Sequence, residues 1–598
     1  MSDQAKKGIS DAIKEEESAL QKGKSKWEDL WKKEDWWANW LGAFLLLLGV
    51  AFFLYSPPEN MKEIIAHNQA IMEAEQQRAP FPTIEYKEAE RKLSGLQARR
   101  TPLGQNLATL LQRPKRWDSS PGQSFILTEE AAAERRAAAQ PRFEEAQQRR
   151  IEARDRAEEA QAAAEAANFK DPALNQAADE AIEAWGGAVR AESRARSAAT
   201  IKPYNVFPSM IALMVVLALL FSVGMRFMGQ KVGGFFIGFP FIFALSIIAY
   251  FIASHSFSTQ YGLSYVLWAV LLGLLISNTV GTPKWAKPAV QVEYYIKTGL
   301  VLLGGSILFG LILMIGAPGI VIAWGVTPTV LIIGYWVGER FIRLPSKPLN
   351  VTIAAAASVC GVSAAIAAAA ASRAKNEELT IAVGLSIAFT AIMMFAMPAL
   401  VLALGMNPIV GGAWIGGTVD STGAVVAAGE LLGAGAMYTA ATLKMIQNVM
   451  IGIIAFAIAA YWATRVETAG SNVKLTFGGA MKEIWTRFPK FVIGFIGASV
   501  LFTIIYELMG DQVGNAIISE GALRGWANPL RGWMFCMAFV SIGLATNFRE
   551  LAKYFEGGKI LYHYAFTQGF NVVLTLFLAW LMFMVAFPGI TEHLMTIR

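Results

Sequence analysis

Charge is scarce in this chain. Asp, Glu, Lys and Arg make up 16% of its 598 residues, against about a quarter in a soluble domain. That shortage excludes an ordinary soluble protein, and the 54% hydrophobic content fits a chain that sits largely in lipid. Cysteine is nearly absent. Cys360 and Cys536 both lie in apolar runs, and one distant pair makes neither a metal motif nor a disulfide framework. The four histidines (His67, His255, His563 and His593) are scattered, so no histidine metal site is expected. There is no Walker A loop, so ATP does not drive the protein by that route. A Gly-x-Ser-x-Gly elbow is also missing. Neither an enzyme nor a cofactor is expected. The net charge of +6 lies largely in loops, so it is no argument for nucleic acid. No short apolar core with a small-residue cleavage site follows the polar start, so no cleavable signal peptide is expected.

Long apolar runs stand where charge is missing. Several exceed the roughly 18 residues needed to cross a bilayer. Residues 1–35 form a charged tail with eight lysines, which places it in the cytoplasm. Residues 36–55 are a first span, with Trp36, Trp37 and Trp40 as an aromatic belt at its start. Residues 56–203 turn polar. From Thr128 to Thr200 the chain is rich in Ala, Glu, Arg and Gln, with Glu and Arg at i,i+4 spacing. That composition predicts a solvent-exposed, coiled-coil-like helical hairpin outside the cytoplasm, interrupted at Asn168–Pro172. It serves either as a spacer or as an arm for a partner. Residues 204–586 return to lipid, and 587–598 form a short tail. Candidate spans after the first are about 206–225, 234–254, 262–281, 294–316, 318–338, 349–372, 379–404, 409–432, 437–462, 490–508, 528–547 and 560–586, thirteen in all.

Loop charge orients these spans. Arg226, Lys231, Lys284, Lys287, Arg340, Arg343 and Lys347 fall inside. So do Arg465, Lys474, Lys482, Arg487, Lys490, Arg549, Lys553 and Lys559. Arg373 and Lys375 are discordant: they fall outside if 349–372 spans, and inside if it dips in and returns. Two readings follow: thirteen spans, or eleven spans plus re-entrant hairpins at 349–372 and 409–432 entering from opposite faces. The thirteen-span reading is preferred, because 262–404 and 409–586 then form two inverted five-helix repeats. Each has a broken fourth helix, interrupted at Ser358–Ser363 in one and at Ser541–Asn547 in the other.

Four polar constellations interrupt the apolar runs. In the first, Ser358, Cys360, Gly361 and Ser363 sit between alanine-rich flanks. A break at that depth survives only where protein or a wet cavity covers it, and free N–H groups there can wrap an anion. The bland reading is a small-residue packing face. In the second, Asp420, Ser421 and Thr422 follow Gly416-Gly-Thr-Val. Asp420 can carry a coupling proton, pair with Lys444, or merely cap the next helix. In the third, Lys444, Gln447 and Asn448 fall at i, i+3 and i+4, one helix face. Lys444 is the best candidate for neutralising an anion, and a snorkelling lysine is the rival reading. The fourth is Ser541, Gly543, Thr546 and Asn547, either a site element or a cap. Asn278 and Gly304-Gly-Ser306 read more simply as close helix packing.

Several stretches together resemble the sulfate exporter (YeiH-like) family of bacterial membrane transporters. They are Val359-Cys-Gly-Val-Ser-Ala-Ala, Ser372–Glu378, Gly299–Gly304, Asp420–Gly429 and Ile542–Phe548. The resemblance covers about residues 234–586; typical members are shorter and lack 56–203. It implies an all-α polytopic inner-membrane protein with crossed broken helices of the sodium/proton antiporter type. The function expected is secondary transport of a small anion, sulfate or a related oxyanion or sulfonate, by alternating access. Ser358, Cys360, Gly361, Ser363, Ser421, Thr422, Lys444, Gln447, Asn448, Thr546 and Asn547 are the candidate substrate ligands. Asp420 is the candidate coupling residue for a proton or sodium ion. A homo-oligomer is expected. The rival classes are a passive anion channel and a membrane scaffold or sensor working through 56–203.

Overall fold

A computed structural model describes residues 27–261, 263–307, 309–466, 485, 488–549 and 558–596. Lys474, Lys482, Arg487, Lys553 and most of the tail before Trp36 lie outside these residues. The chain is mostly helical, as lipid requires of a backbone that has no water to bond with. Among the described residues, eight helices are long and apolar enough to cross a membrane. They belong to a bundle that begins with α1 (Glu34–Tyr55). The polar segment supplies α2 (Met61–Arg78), α3 (Ile84–Ser94), α4 (Pro102–Leu110), α5 (Glu129–Ala166) and α6 (Pro172–Ala199). The bundle resumes with α7 (Phe207–Phe227), α8 (Val232–Ala253), α9 (Tyr265–Thr279), α10 (Val292–Ser306) and α11 (Phe309–Val337).

The second half contains short pairs between long helices. α12 (Lys347–Ala356) and α13 (Gly361–Ser372) precede α14 (Asn376–Ala403). α15 (Pro408–Thr418) and α16 (Thr422–Glu430) precede α17 (Ala434–Tyr461). α18 (Phe491–Met509), α19 (Asn528–Ala545) and α20 (Lys559–Trp580) complete the bundle.

Two expectations need correction. The spans read as 294–316 and 318–338 divide earlier, at Ile307, whose backbone is extended. α11 then runs through Pro318 and Pro328. A proline inside a membrane helix is tolerated where neighbours satisfy the freed carbonyls. The second broken helix is also not 528–547. α19 runs unbroken to Ala545, and the second break falls at Val419–Ser421, where Val419 and Ser421 are extended.

Both broken segments fold back on themselves. α12 runs antiparallel to α11: a Cβ on Gly338 would meet Asn350 and one on Gly334 would meet Ala354. The chain then reverses at Ala357–Cys360, and α13 returns along α12. Val351, Ala355, Ala364, Ala367, Ala368 and Ala371 share one apolar cluster with Tyr335, Ile458 and Trp462. The two arms pack along each other, so α13 leads the chain back toward the end where α12 began. The second segment closes in the same way. Gly411, near the start of α15, lies against Leu432, just beyond the end of α16. α15 runs parallel to α17, with Gly412 against Ala436 and Gly416 against Ala440. The segments 349–372 and 409–432 are hairpins, and they approach the middle of α17 from its two opposite ends.

The polar segment has its own small core. α5 and α6 pair as a hairpin around Ala157, Ala164, Ala178, Ile182 and Trp185. The turn between them carries Asn168 and Phe169 at positive φ, and Asp171 caps α6 by accepting from Ala173 N at 2.9 Å. A two-residue antiparallel ladder, β1 (Ile126–Leu127) with β2 (Tyr204–Asn205), closes the base of this hairpin.

Candidate binding site at the hairpin tips

α17 carries Lys444, Gln447 and Asn448 on one face, and all three are buried; Lys444 is 0% exposed in mid-helix. That excludes a snorkelling lysine, which needs a path to the interface. The ammonium donates to Val359 O at 2.6 Å and to Gln447 Oε1 at 2.6 Å. Gln447 Nε2 in turn donates to Ser358 O at 3.1 Å and to Gly417 O at 3.1 Å. One amide therefore ties the tip of the first hairpin to the tip of the second. Asn448 Nδ2 donates to Thr422 Oγ1 at 3.1 Å.

α20 closes the other side. Asn571 Nδ2 donates to Ala357 O at 2.9 Å. Gln568 Nε2 donates to Thr418 O at 2.8 Å. Thr575 packs against Gly417, and the Tyr564 hydroxyl donates to Asp420 Oδ2. Between them, α17 and α20 satisfy the carbonyls of residues 357–359, 417 and 418. These are the groups a helix C-terminus leaves without partners.

The helix N-termini at the two breaks are treated differently. α13 starts after Cys360 and α16 after Ser421, and neither has a side-chain cap. Gly361 sits where the tips touch. A Cβ there would collide with Ser386 Oγ and come within 3.3 Å of Asp420 Cβ, so only glycine fits this crossing. Ser358, Asp420 and Thr422 are buried. The tips thus carry uncapped N–H groups, and Cys360, Ser363 and Ser421 on them are only half-buried. Helix N-termini carry partial positive charge and suit anions.

Charge distribution points the same way. Among the described residues, Lys444 forms no ion pair with a carboxylate, and its acceptors are neutral. Asp420 bonds to Tyr564 rather than to Lys444. Nor does Asp420 cap α16, whose N-cap position is Ser421. Against this, Asp420 Oδ1, Asn448 Oδ1 and Gln568 Oε1 are buried acceptors without a hydrogen-bond partner, and these suit a donor or a cation.

Thr546 and Asn547 form their hydrogen bonds with α9 rather than with the hairpin tips. Ser277 Oγ donates to Thr546 O at 2.6 Å and to Gly543 O at 2.9 Å. Asn547 Nδ2 donates to Ser277 O at 3.3 Å. They finish α19 against α9, where Gly273 and Gly543 allow the two backbones to touch. Asn278, read as packing, belongs to the same junction: its amide donates to Thr546 O at 3.1 Å. Conversely, Tyr564, Gln568, Asn571 and Ser386 were missed from sequence. The first three recur at i, i+4 and i+7 within an apolar run, which is the mark of a polar helix face.

A family model described as Conserved hypothetical protein 698 matches residues 237–562. A UPF0324 membrane protein of Nitratidesulfovibrio vulgaris is 50% identical over 96% of this chain and 98% of its own length. The UPF0324 membrane protein RB9488 of Rhodopirellula baltica is 41% identical over 94% of this chain and 92% of its own. Both alignments are long enough to take in most of residues 56–203, so that segment is shared by long relatives. The UPF0324 inner membrane protein YeiH of Escherichia coli is 26% identical over 49% of this chain and 79% of its own length. No solved structure matches.

Proposed function

We propose that this chain, which belongs to the UPF0324 membrane protein family, is a secondary transporter of a small oxyanion. Sulfate or a related sulfonate is the substrate class. The observation that carries this reading is Lys444: a buried ammonium with only neutral acceptors, placed where two hairpin tips present uncapped N–H groups. An ionised side chain at such depth costs roughly 2.5–3.5 kcal/mol on insertion scales. A bound anion removes much of that cost. The N–H groups of Gly361–Ser363 and Thr422–Ala424, with the Ser363 and Ser421 hydroxyls, surround the anion, and Lys444 balances its charge. Gln447 and Asn448 hold the tips in register rather than touching substrate.

Asp420 serves as the coupling carboxylate for a proton or sodium ion. It adjoins Gly361 and is held by Tyr564, so its charge state acts directly on the anion's surroundings. Two hairpins reaching one point from opposite sides supply a way to alternate access, one tip yielding at a time. This arrangement favours eleven spans plus two re-entrant hairpins. The N-terminus is then cytoplasmic, and residues 56–203 lie on the other side of an inner membrane. The loop charges, Arg373 and Lys375 included, agree with that orientation, and the Escherichia coli relative is named an inner membrane protein. The working form is a homo-oligomer.

The test is a thermal-shift screen of the purified protein against sulfate, phosphate, alkyl sulfonates and chloride. Uptake of the best ligand is then measured in proteoliposomes under proton and sodium gradients. Stabilisation by a divalent oxyanion and gradient-dependent, saturable uptake are expected. Stabilisation by cations alone would overturn the reading.

A further inference from the structure

A second feature lies at the opposite end of the second hairpin from its tip. A cavity of about 810 Å3 opens between the polar segment and the start of α19. Its lining carries six cations: Arg99, Arg113, Lys115, Arg116, Arg524 and Arg531. Glu430, the last residue of α16, is the one carboxylate in that lining; Tyr265 donates to its Oε1 at 2.8 Å, and its Oε2 is buried without a hydrogen-bond partner. Two of the cations are already matched: Arg99 and Arg524 both bond to Glu520, at 3.0 and 2.6 Å. Arg113 is fixed in place, donating to Pro529 O at 3.1 Å and lying 4.6 Å over the Tyr250 ring. The remaining three are not matched. Lys115 and Arg116 form no ion pair among the described residues. Arg531 Nη1 is a buried donor without any hydrogen-bond partner.

A buried guanidinium nitrogen left without an acceptor is costly, and native structures rarely keep one without a use. Placed among five more cations, two of them paired, with one carboxylate in the lining, it calls for an acceptor-rich, negatively charged ligand. Guanidinium groups match the geometry of multivalent oxyanions. We propose that this cavity is a second oxyanion-binding site, built jointly by the 98–116 stretch and the start of α19, and separate from the hairpin tips. Binding there stands on the cavity's own geometry; its service as the vestibule feeding the central site rests on the transport reading. It gives the polar segment a task, since four of the six cations come from it. It also places an anion beside Glu430, at the base of the hairpin whose tip carries Asp420.

The test is calorimetric titration of the full-length purified protein with inorganic sulfate, comparing wild type, Arg531→Gln and Lys444→Met. Wild type is expected to bind two sulfates per chain. Arg531→Gln should weaken one event roughly tenfold or more and leave the other; Lys444→Met should do the reverse. Arg531→Lys, which keeps the charge, should retain most of the first event and guards against misfolding of the Gln variant. Arg116→Gln, at an exposed side chain, should weaken the same event more mildly. Two unchanged events in a folded Arg531→Gln would overturn the proposal. So would a wild-type titration with one event that only Lys444→Met removes. If Arg531→Gln loses an event while Lys444→Met loses none, the cavity stands and the central-site reading fails. A parallel titration with phosphatidic acid in mixed micelles separates a free oxyanion from a lipid headgroup. Displacement of sulfate by the lipid at the Arg531-dependent event, with tighter binding of the lipid, would overturn the assignment to a free oxyanion.

Discussion

Replacing Lys444 by Met removes the charge at the meeting of the hairpins while keeping a chain of similar length. Two effects oppose each other in the anion-free protein. The variant leaves Val359 O and Gln447 Oε1 without their 2.6 Å donor, and each unsatisfied buried acceptor costs about 1–3 kcal/mol. It also removes a buried ammonium that has no carboxylate partner, recovering a term of roughly 2.5–3.5 kcal/mol. The two terms are of similar size, so the anion-free stability should change little. Binding should change a great deal. Deleting one partner of a buried charge contact costs about 2–5 kcal/mol. At about 1.4 kcal/mol per tenfold, that is roughly thirtyfold to several thousandfold in Kd. Equilibrium dialysis with radiolabelled sulfate on the detergent-purified protein measures the second quantity, and a melting curve without ligand measures the first. A Met variant that binds sulfate as tightly as wild type at the central site would refute the reasoning. So would a large loss of ligand-free stability, because it would make Lys444 a structural tie rather than an unbalanced charge.

Asp420→Asn should keep anion binding while uncoupling it, so that uptake in proteoliposomes no longer follows a proton or sodium gradient; Tyr564→Phe should shift the coupling without abolishing it. Gly361→Ala forces a methyl into Ser386 Oγ, and such overpacking costs about 1–3 kcal/mol. Ser386→Gly in the same chain should recover most of the lost melting temperature, and no recovery would mean the tips do not cross as described. A single cysteine at Lys375, with both native cysteines replaced, should react with an impermeant maleimide only from the face that also labels a cysteine at Lys347. Labelling from opposite faces would restore the thirteen-span reading.

How much of this was legible in the sequence differs from element to element. The Lys444, Gln447 and Asn448 spacing specifies one helix face whatever the topology, so it survived into the structure unchanged. The break at Ser358–Ser363 and the turn at Asn168–Pro172 were visible because small or turn-forming residues interrupt long periodic runs. Hairpin or span was harder to decide. A run of about 24 apolar residues is long enough for one crossing, and equally for two half-depth arms, so length and hydropathy are blind to the difference. Only Arg373 and Lys375 carried the signal, through a discordant charge. The partner of the first break was misread for a related reason. Ser541–Asn547 and Val419–Ser421 both pair small residues with polar ones, but Thr546 and Asn547 bond back to α9 and end a helix there. The face formed by Tyr564, Gln568 and Asn571 was hidden inside a run read as one more lipid-facing span.

The central claim is that an oxyanion sits between the two uncapped helix starts. Soaking the protein with selenate, a heavier stand-in for sulfate, and locating it by anomalous scattering tests this directly. Selenate should lie within hydrogen-bond distance of the Lys444 ammonium and of backbone N–H groups from both Gly361–Ser363 and Thr422–Ala424. Selenate found only elsewhere, or a cation bound between these tips, would contradict it.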